Sequence, residues 1–192
     1  MAYLILGLFI FLGVHSVRIV ADDWRTRTVA RVGANAFKAA YSVLSLLGFG
    51  LMVWGFGIAR DTPTVLWIAP VGMRHAAALF NVIAFVFLAA AYVPGNGIKA
   101  RVHHPMVLGV KTWAFAHLLA NGMLHHVVLF GSLLAWAVLD YISARRRDRA
   151  QAVQYPAGKP GATVLTVAIG VAVAGVFAMW LHSLLIGIKP FG

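Results

Sequence analysis

Six long apolar stretches leave this chain almost no choice of solvent. They run from about 2 to 20, 36 to 58, 73 to 94, 105 to 121, 123 to 143 and 163 to 187. A helix crossing the hydrocarbon core needs roughly 20 mostly apolar residues, and only helices and closed barrels satisfy their backbone polar groups there. The expectation is an all-α, polytopic membrane helix bundle of about six transmembrane helices, one domain over residues 1–192. Composition agrees: 61% of residues are apolar and 11% charged, against roughly 45–50% and 25% in soluble domains. The first span, Met1 to Val20, lacks a positive n-region and a small-residue cleavage site, so it reads as retained.

The net charge of +11 would suggest nucleic acid in a soluble protein. Here the cations lie between apolar spans, and Arg145-Arg146-Arg147 reads as a lipid-headgroup anchor rather than a nucleic-acid patch. Loops one, three and five and their helix ends carry twelve Lys or Arg, among them Arg18, Arg25, Lys38, Lys99 and Arg147; the other loops and the tail carry Arg60, Arg74 and Lys189. The positive-inside rule then places both termini outside, in the periplasm of a bacterial inner membrane. With no cysteine, thiolate zinc sites, iron–sulfur clusters and cysteine nucleophiles are excluded. Five aspartates and no glutamate are too few acids for paired-carboxylate chemistry or hard-metal cages.

Ionisable groups inside spans are costly and point to function. His15 in the first span, Lys111 and His117 in the fourth and His182 in the sixth are of this kind. Pro105 suits the first helical position, which makes His104 the start of the fourth helix. His104 and Lys111, seven residues apart, share a face, whereas His117 points about 120° away from Lys111. Asn121-Gly122 forces a tight turn between the fourth and fifth helices. Two neutral imidazoles from different helices are the cysteine-free way to hold a b-type haem in a bundle. The same histidines would serve equally as interhelical hydrogen-bonding groups, worth about 1 kcal/mol each. At a rise of about 1.5 Å per residue, His15 and His117 differ in depth by about 12 Å, and depth alone favours His117 with His182.

The segments FLGVHSVRI (11–19), WRTRTVARVG (24–33), YSVLSLLG (41–48) and HPMVLGVKTWAFAHLLANG (104–122) resemble the NnrU family over nearly the whole chain. That family is similar to the plant and cyanobacterial zeta-carotene isomerase, a membrane protein with b-type haem. Its ligand positions fall by motif on His15 and His117, so the resemblance implies haem b with these two as iron ligands and Lys111 or an interfacial arginine at the propionates. Ala114 stands where the isomerase has a cysteine, which removes a sulfur ligand and weakens an isomerase reading. The family's association with denitrification implies service to nitrite and nitric oxide metabolism, with a hydrophobic or nitrogen-oxide substrate or a respiratory reductase as partner. Two alternatives stand beside it. One is a non-catalytic assembly or regulatory partner of such a reductase. The other is a membrane methyltransferase-like enzyme, distantly resembled through His104-Pro105, Gly109 and Asn121 but without the acidic residues such enzymes carry after the hairpin.

Overall fold

The computed structural model describes residues 1–190, all helices and connections. Its elements are α1 (Ala2–Val20), α2 (Asp22–Val32), α3 (Ala34–Ala59), α4 (Val71–Tyr92), α5 (Gly97–Val102), α6 (Pro105–Ala120), α7 (Leu124–Ala150) and α8 (Pro160–Val176); a π-helical turn (Phe177–Leu181) leads from α8 into α9 (His182–Ile186). Five apolar rods are long enough to cross a membrane: α1, α3, α4, α7 and the continuous Pro160–Ile186. The sixth, α6, has 16 residues, about 24 Å at the helical rise, so it crosses only with help from its flanks. Side chains such as Phe9, Leu46, Leu79 and Leu184 stand exposed around the outside, where only lipid removes the cost of wetting them. The protein is a multi-pass membrane helix bundle.

Three features depart from the sequence expectation. The first basic loop is largely helical, as α2, and α5 occupies the third. The fifth span continues as helix through the arginine run to Ala150, because Ala and Arg are good helix formers even where hydropathy ends. The last rod is interrupted by the π turn, which periodicity does not reveal.

Helix order in space is not chain order. α3 packs on α1, α1 on α7, α7 on α6, α6 on α4, and α4 on α8. Among the described residues α1 and α6 do not pack on each other; α7 separates them. Nor does α3 pack on α4 or α8, so the row of helices curls round without closing.

Small residues set the tightest seams. A Cβ on Gly7 would lie 2.3 Å from the Met52 backbone nitrogen, and one on Gly55 2.2 Å from that of Leu4. The α1 and α3 backbones therefore touch, as they do in membranes where no hydrophobic force draws helices together and close van der Waals approach must. Gly170 of α8 approaches Val86 of α4 in the same way. Buried alanines, among them Ala84, Ala114, Ala116 and Ala137, continue these seams.

The two ends of the bundle are tied differently. At one end the loop after α3 clamps the α6–α7 turn: Leu66 and Trp67 N–H donate to Gly122 O, and Leu124 N–H to Thr64 O. Arg60 there donates to Ile186 O at 3.0 Å. At the other, basic end, buried Asn96 caps α5 by accepting from Lys99 N–H (2.7 Å) and donates to Ala90 O. Gly97 N–H donates to Thr163 Oγ1, fastening α8.

Candidate functional site

The unclosed row of helices encloses a cavity of about 1060 Å³, at the upper limit of roughly 300–1,000 Å³ for ligand pockets. Its body is apolar, with Phe49 and Met52 from α3, Phe85 and Leu88 from α4, Trp113 from α6 and Trp136 from α7. Its basic end carries Arg18, Arg25, Lys38 and Arg147. Two carboxylates, Asp140 and Asp148, line the same end.

His15 stands on this wall. Its Nδ1 lies 2.7 Å from Phe11 O, one turn back. A carbonyl oxygen only accepts, so Nδ1 carries the proton, and in the neutral ring Nε2 is left with a lone pair. The Phe11 ring covers one face of the imidazole at 4.1 Å, Tyr41 approaches at 5.3 Å, and Trp136 meets it edge-on at 5.9 Å.

His117 repeats the device on α6. Its Nδ1 donates to Trp113 O at 2.8 Å, and the Trp113 ring lies 4.8 Å away. Both histidines follow an aromatic residue by four positions, so helix geometry alone brings ring to ring and Nδ1 to carbonyl. Their surroundings differ. His117 stacks on Phe130 at 4.5 Å, in the core cluster of Ala114, Phe130 and Leu133, and is not part of the cavity wall; Trp113 is.

The two expected ligands are thus not brought together across one space. His15 meets α7 at Trp136 and His117 meets it at Phe130. Six residues of α7 separate these contacts, about 9 Å along the axis and about 120° around it.

The other expected residues are placed as follows. His104 is the N-cap residue of α6 with Pro105 at the first helical position, and it lines the cavity. Its Nε2 donates to Asp148 Oδ2 at 2.8 Å, an oxygen that also accepts from Arg145 (3.0 Å) and Tyr155 (2.9 Å). Lys111 turns to the same helix, α7, with Nζ 5.7 Å over the Tyr141 ring, away from the cavity wall. His182 is part-exposed at the start of α9; its Nδ1 donates to Ile188 O, and it is not on the wall. Among the described residues no group of three or more His, Cys, Asp or Glu is placed to hold a metal ion.

Beside the mouth, His103 adopts a left-handed backbone (φ 66°) and sets its ring 4.1 Å from that of Tyr155. Burial, then the Arg145 guanidinium, lowers the His103 pKa from 6.5. Burial, then the hydrogen bond to Asp148, raises that of Tyr155 from 10.0.

Sequence reasoning missed Asp140, although a lone acid within the fifth span is the signal it used elsewhere. Arg18, Arg25 and Lys38 entered it as markers of orientation and Arg147 as part of a headgroup anchor, with an unspecified interfacial arginine expected at the propionates. Nothing in one sequence shows that they converge on a cavity.

A curled row of membrane helices around an amphipathic cavity defines this protein's class. The NnrU family model, described as NnrU protein, matches residues 3–190, so the chain belongs to the NnrU family. No curated protein and no solved structure matches it.

Proposed function

We propose that this protein binds haem b in the cavity, with His15 as the iron ligand, and serves nitrogen-oxide respiration at the bacterial inner membrane. The observation that carries the reading is the His15 ring. It is fixed on the cavity wall with Nδ1 committed to Phe11 O, so that the nitrogen left over is the one with a lone pair. Metal-bound histidines show the same division, the second ring nitrogen donating to a carbonyl or carboxylate.

The rest of the cavity suits the group. The apolar body accommodates a macrocycle and keeps water from it, and the cations at the basic end, Arg18, Arg25, Lys38 and Arg147, would hold its carboxylates through charge-assisted hydrogen bonds. Phe11 and Trp136 keep the imidazole from rotating. His104 and Asp148, already bonded to each other, set the shape of the mouth. When bound, haem supplies an iron able to coordinate a small nitrogen oxide or exchange an electron with it. His117 has the same tautomer but stands behind Trp113, so it is assigned to packing of α6 against α7. The link to nitrite and nitric oxide metabolism is what the resemblance to the NnrU family implies, and the clustering of cations at one end supports a cytoplasmic position for that end.

Titration of the purified, detergent-solubilised protein with haem should develop a Soret band that saturates at one haem per chain. A protein with native helical content and no saturable Soret change would sink the reading.

A further inference from the structure

The cavity has walls from helices that do not meet. Phe49 and Met52 project from α3, while Phe85 and Leu88 project from α4 and Phe177 from the π-helical turn. α3 packs on neither α4 nor α8. The hydrogen bond from Arg60 to Ile186 O joins the two sides at the end away from the cations. The π turn directs Phe177 into the cavity against Phe85, at 5.4 Å, and such turns often mark functional positions. The flanking outer surfaces of α3, with Leu46 and Val53, and of the last rod, with Val173 and Trp180, are exposed and apolar, so hydrocarbon bathes both edges.

A space of this size with apolar walls does not stay filled with water at membrane depth, and interiors do not keep large voids. Its basic end gathers four cations against two carboxylates, with a third carboxylate, Asp22, 3.7 Å from Arg18 Nε. Asp148 already accepts three hydrogen bonds, and Arg147 spends one donor on Arg18 O and one on Ser143 Oγ. The Arg25 guanidinium lies 5.7 Å over Phe37. The excess of positive charge therefore faces a ligand that is apolar along its length and acidic at one end.

We infer that the cavity is filled sideways from the bilayer, through the gap between α3 and α4, and that in haem-free protein an anionic phospholipid of the leaflet at the basic end occupies it. Its headgroup phosphate sits among Arg18, Lys38 and Arg147, and an acyl chain reaches Trp136. The inference rests on the cavity walls and not on haem ligation, so the two can fail separately.

The test uses haem-free protein keeping Trp136 alone, with the other five tryptophans changed to phenylalanine, in nanodiscs of phosphatidylcholine. Brominated acyl chains quench a tryptophan they touch. Dibrominated phosphatidylglycerol, added as a minority lipid, should quench Trp136 several-fold more than the same amount of dibrominated phosphatidylcholine. The triple variant Arg18→Gln, Lys38→Gln, Arg147→Gln should lose that preference. Equal quenching by both lipids, or a preference that survives the triple change, overturns the anionic ligand.

Because the chain has no cysteine, Phe49→Cys and Phe85→Cys can be bridged by a bis-maleimide after delipidation. Bridged protein should then take up the brominated lipid at least tenfold more slowly, and an unchanged rate overturns lateral entry. Should the tryptophan replacements prevent folding, native mass spectrometry of the full chain replaces them. Wild-type protein should retain phosphatidylglycerol that the triple variant loses, and equal retention overturns the proposal. Soret titration of the same discs reports on haem independently.

Discussion

His15 and His117 are built alike and placed differently. Each follows an aromatic residue by four positions, and each gives its Nδ1 proton to that residue's carbonyl. Yet one looks into a cavity of about 1060 Å³, while the other is stacked on Phe130 in the core. Local sequence sets the tautomer, because the i to i+4 relation is a property of the helix. Access is set by what each ring faces. α1 lies between α3 and α7, and α6 between α7 and α4, but His15 turns to the cavity while His117 turns into the α6–α7 seam at Phe130.

The comparison breaks most severely if α1 loses its seat. Gly55→Leu drives a side chain into the Leu4 backbone and should cost about 3 kcal/mol or more, the upper range for overpacking. Thermal unfolding in detergent would show it as a large loss of folded protein, and haem uptake should fall with it. Gly13→Ala, at a position with nothing within 4 Å, should change neither.

A second substitution sharpens the contrast between the histidines. Trp113 stands between the cavity and His117, so Trp113→Ala should cost about 3–5 kcal/mol in the manner of large-to-small core changes. In the surviving folded fraction haem should keep a single imidazole, read as unchanged high-spin absorbance, because the contacts of His15 and His117 on α7 lie about 9 Å apart. A shift to low-spin absorbance in folded Trp113→Ala protein would show that Trp113 alone keeps His117 away.

A smaller effect is expected at the mouth. Asp148→Asn weakens three hydrogen bonds on Asp148 Oδ2 and should destabilise the α6–α7 junction by about 1–3 kcal/mol. Proteolysis of the 151–159 connection should rise accordingly, with haem binding retained.

The smallest effect is one of pH. His103 has a folded pKa below its ordinary 6.5, so the unfolded chain binds more protons there, and its contribution is lost as pH falls from about 6.5. Tyr155 has a folded pKa above 10.0, so its contribution is present below about 10 and lost as pH rises through the folded value. Docking of the connection, followed by hydrogen exchange after correction for intrinsic rates, should be firmest between these limits. A profile flat from pH 5 to 10 would contradict the packing of His103 against Tyr155.

The fold was largely legible because a bilayer imposes a length and a polarity that hydropathy reports directly. The tight turn at Asn121-Gly122 and the cap at His104-Pro105 were legible too, since both are local. α2, α5 and the extension of α7 to Ala150 were not, because amphipathic or charged helical turns carry no hydropathy signal. The site was legible by residue and not by arrangement. The depth difference of about 12 Å expected between His15 and His117 stood only as a warning beside the pairing that the motifs implied, and the pair that depth preferred, His117 with His182, lies off the cavity wall. What no single sequence carries is the neighbour order α3–α1–α7–α6–α4–α8, which alone decides that Arg18, Lys38 and Arg147 share a space with Trp136.

The most direct test of the account is haem titration of His15→Ala beside His117→Ala, both in folded, detergent-solubilised protein. The account predicts that His15→Ala loses the saturable Soret band while His117→Ala keeps it with little change in affinity. Loss of the band in His117→Ala alone, or equal loss in both, would contradict the assignment of His15 as the cavity's iron ligand.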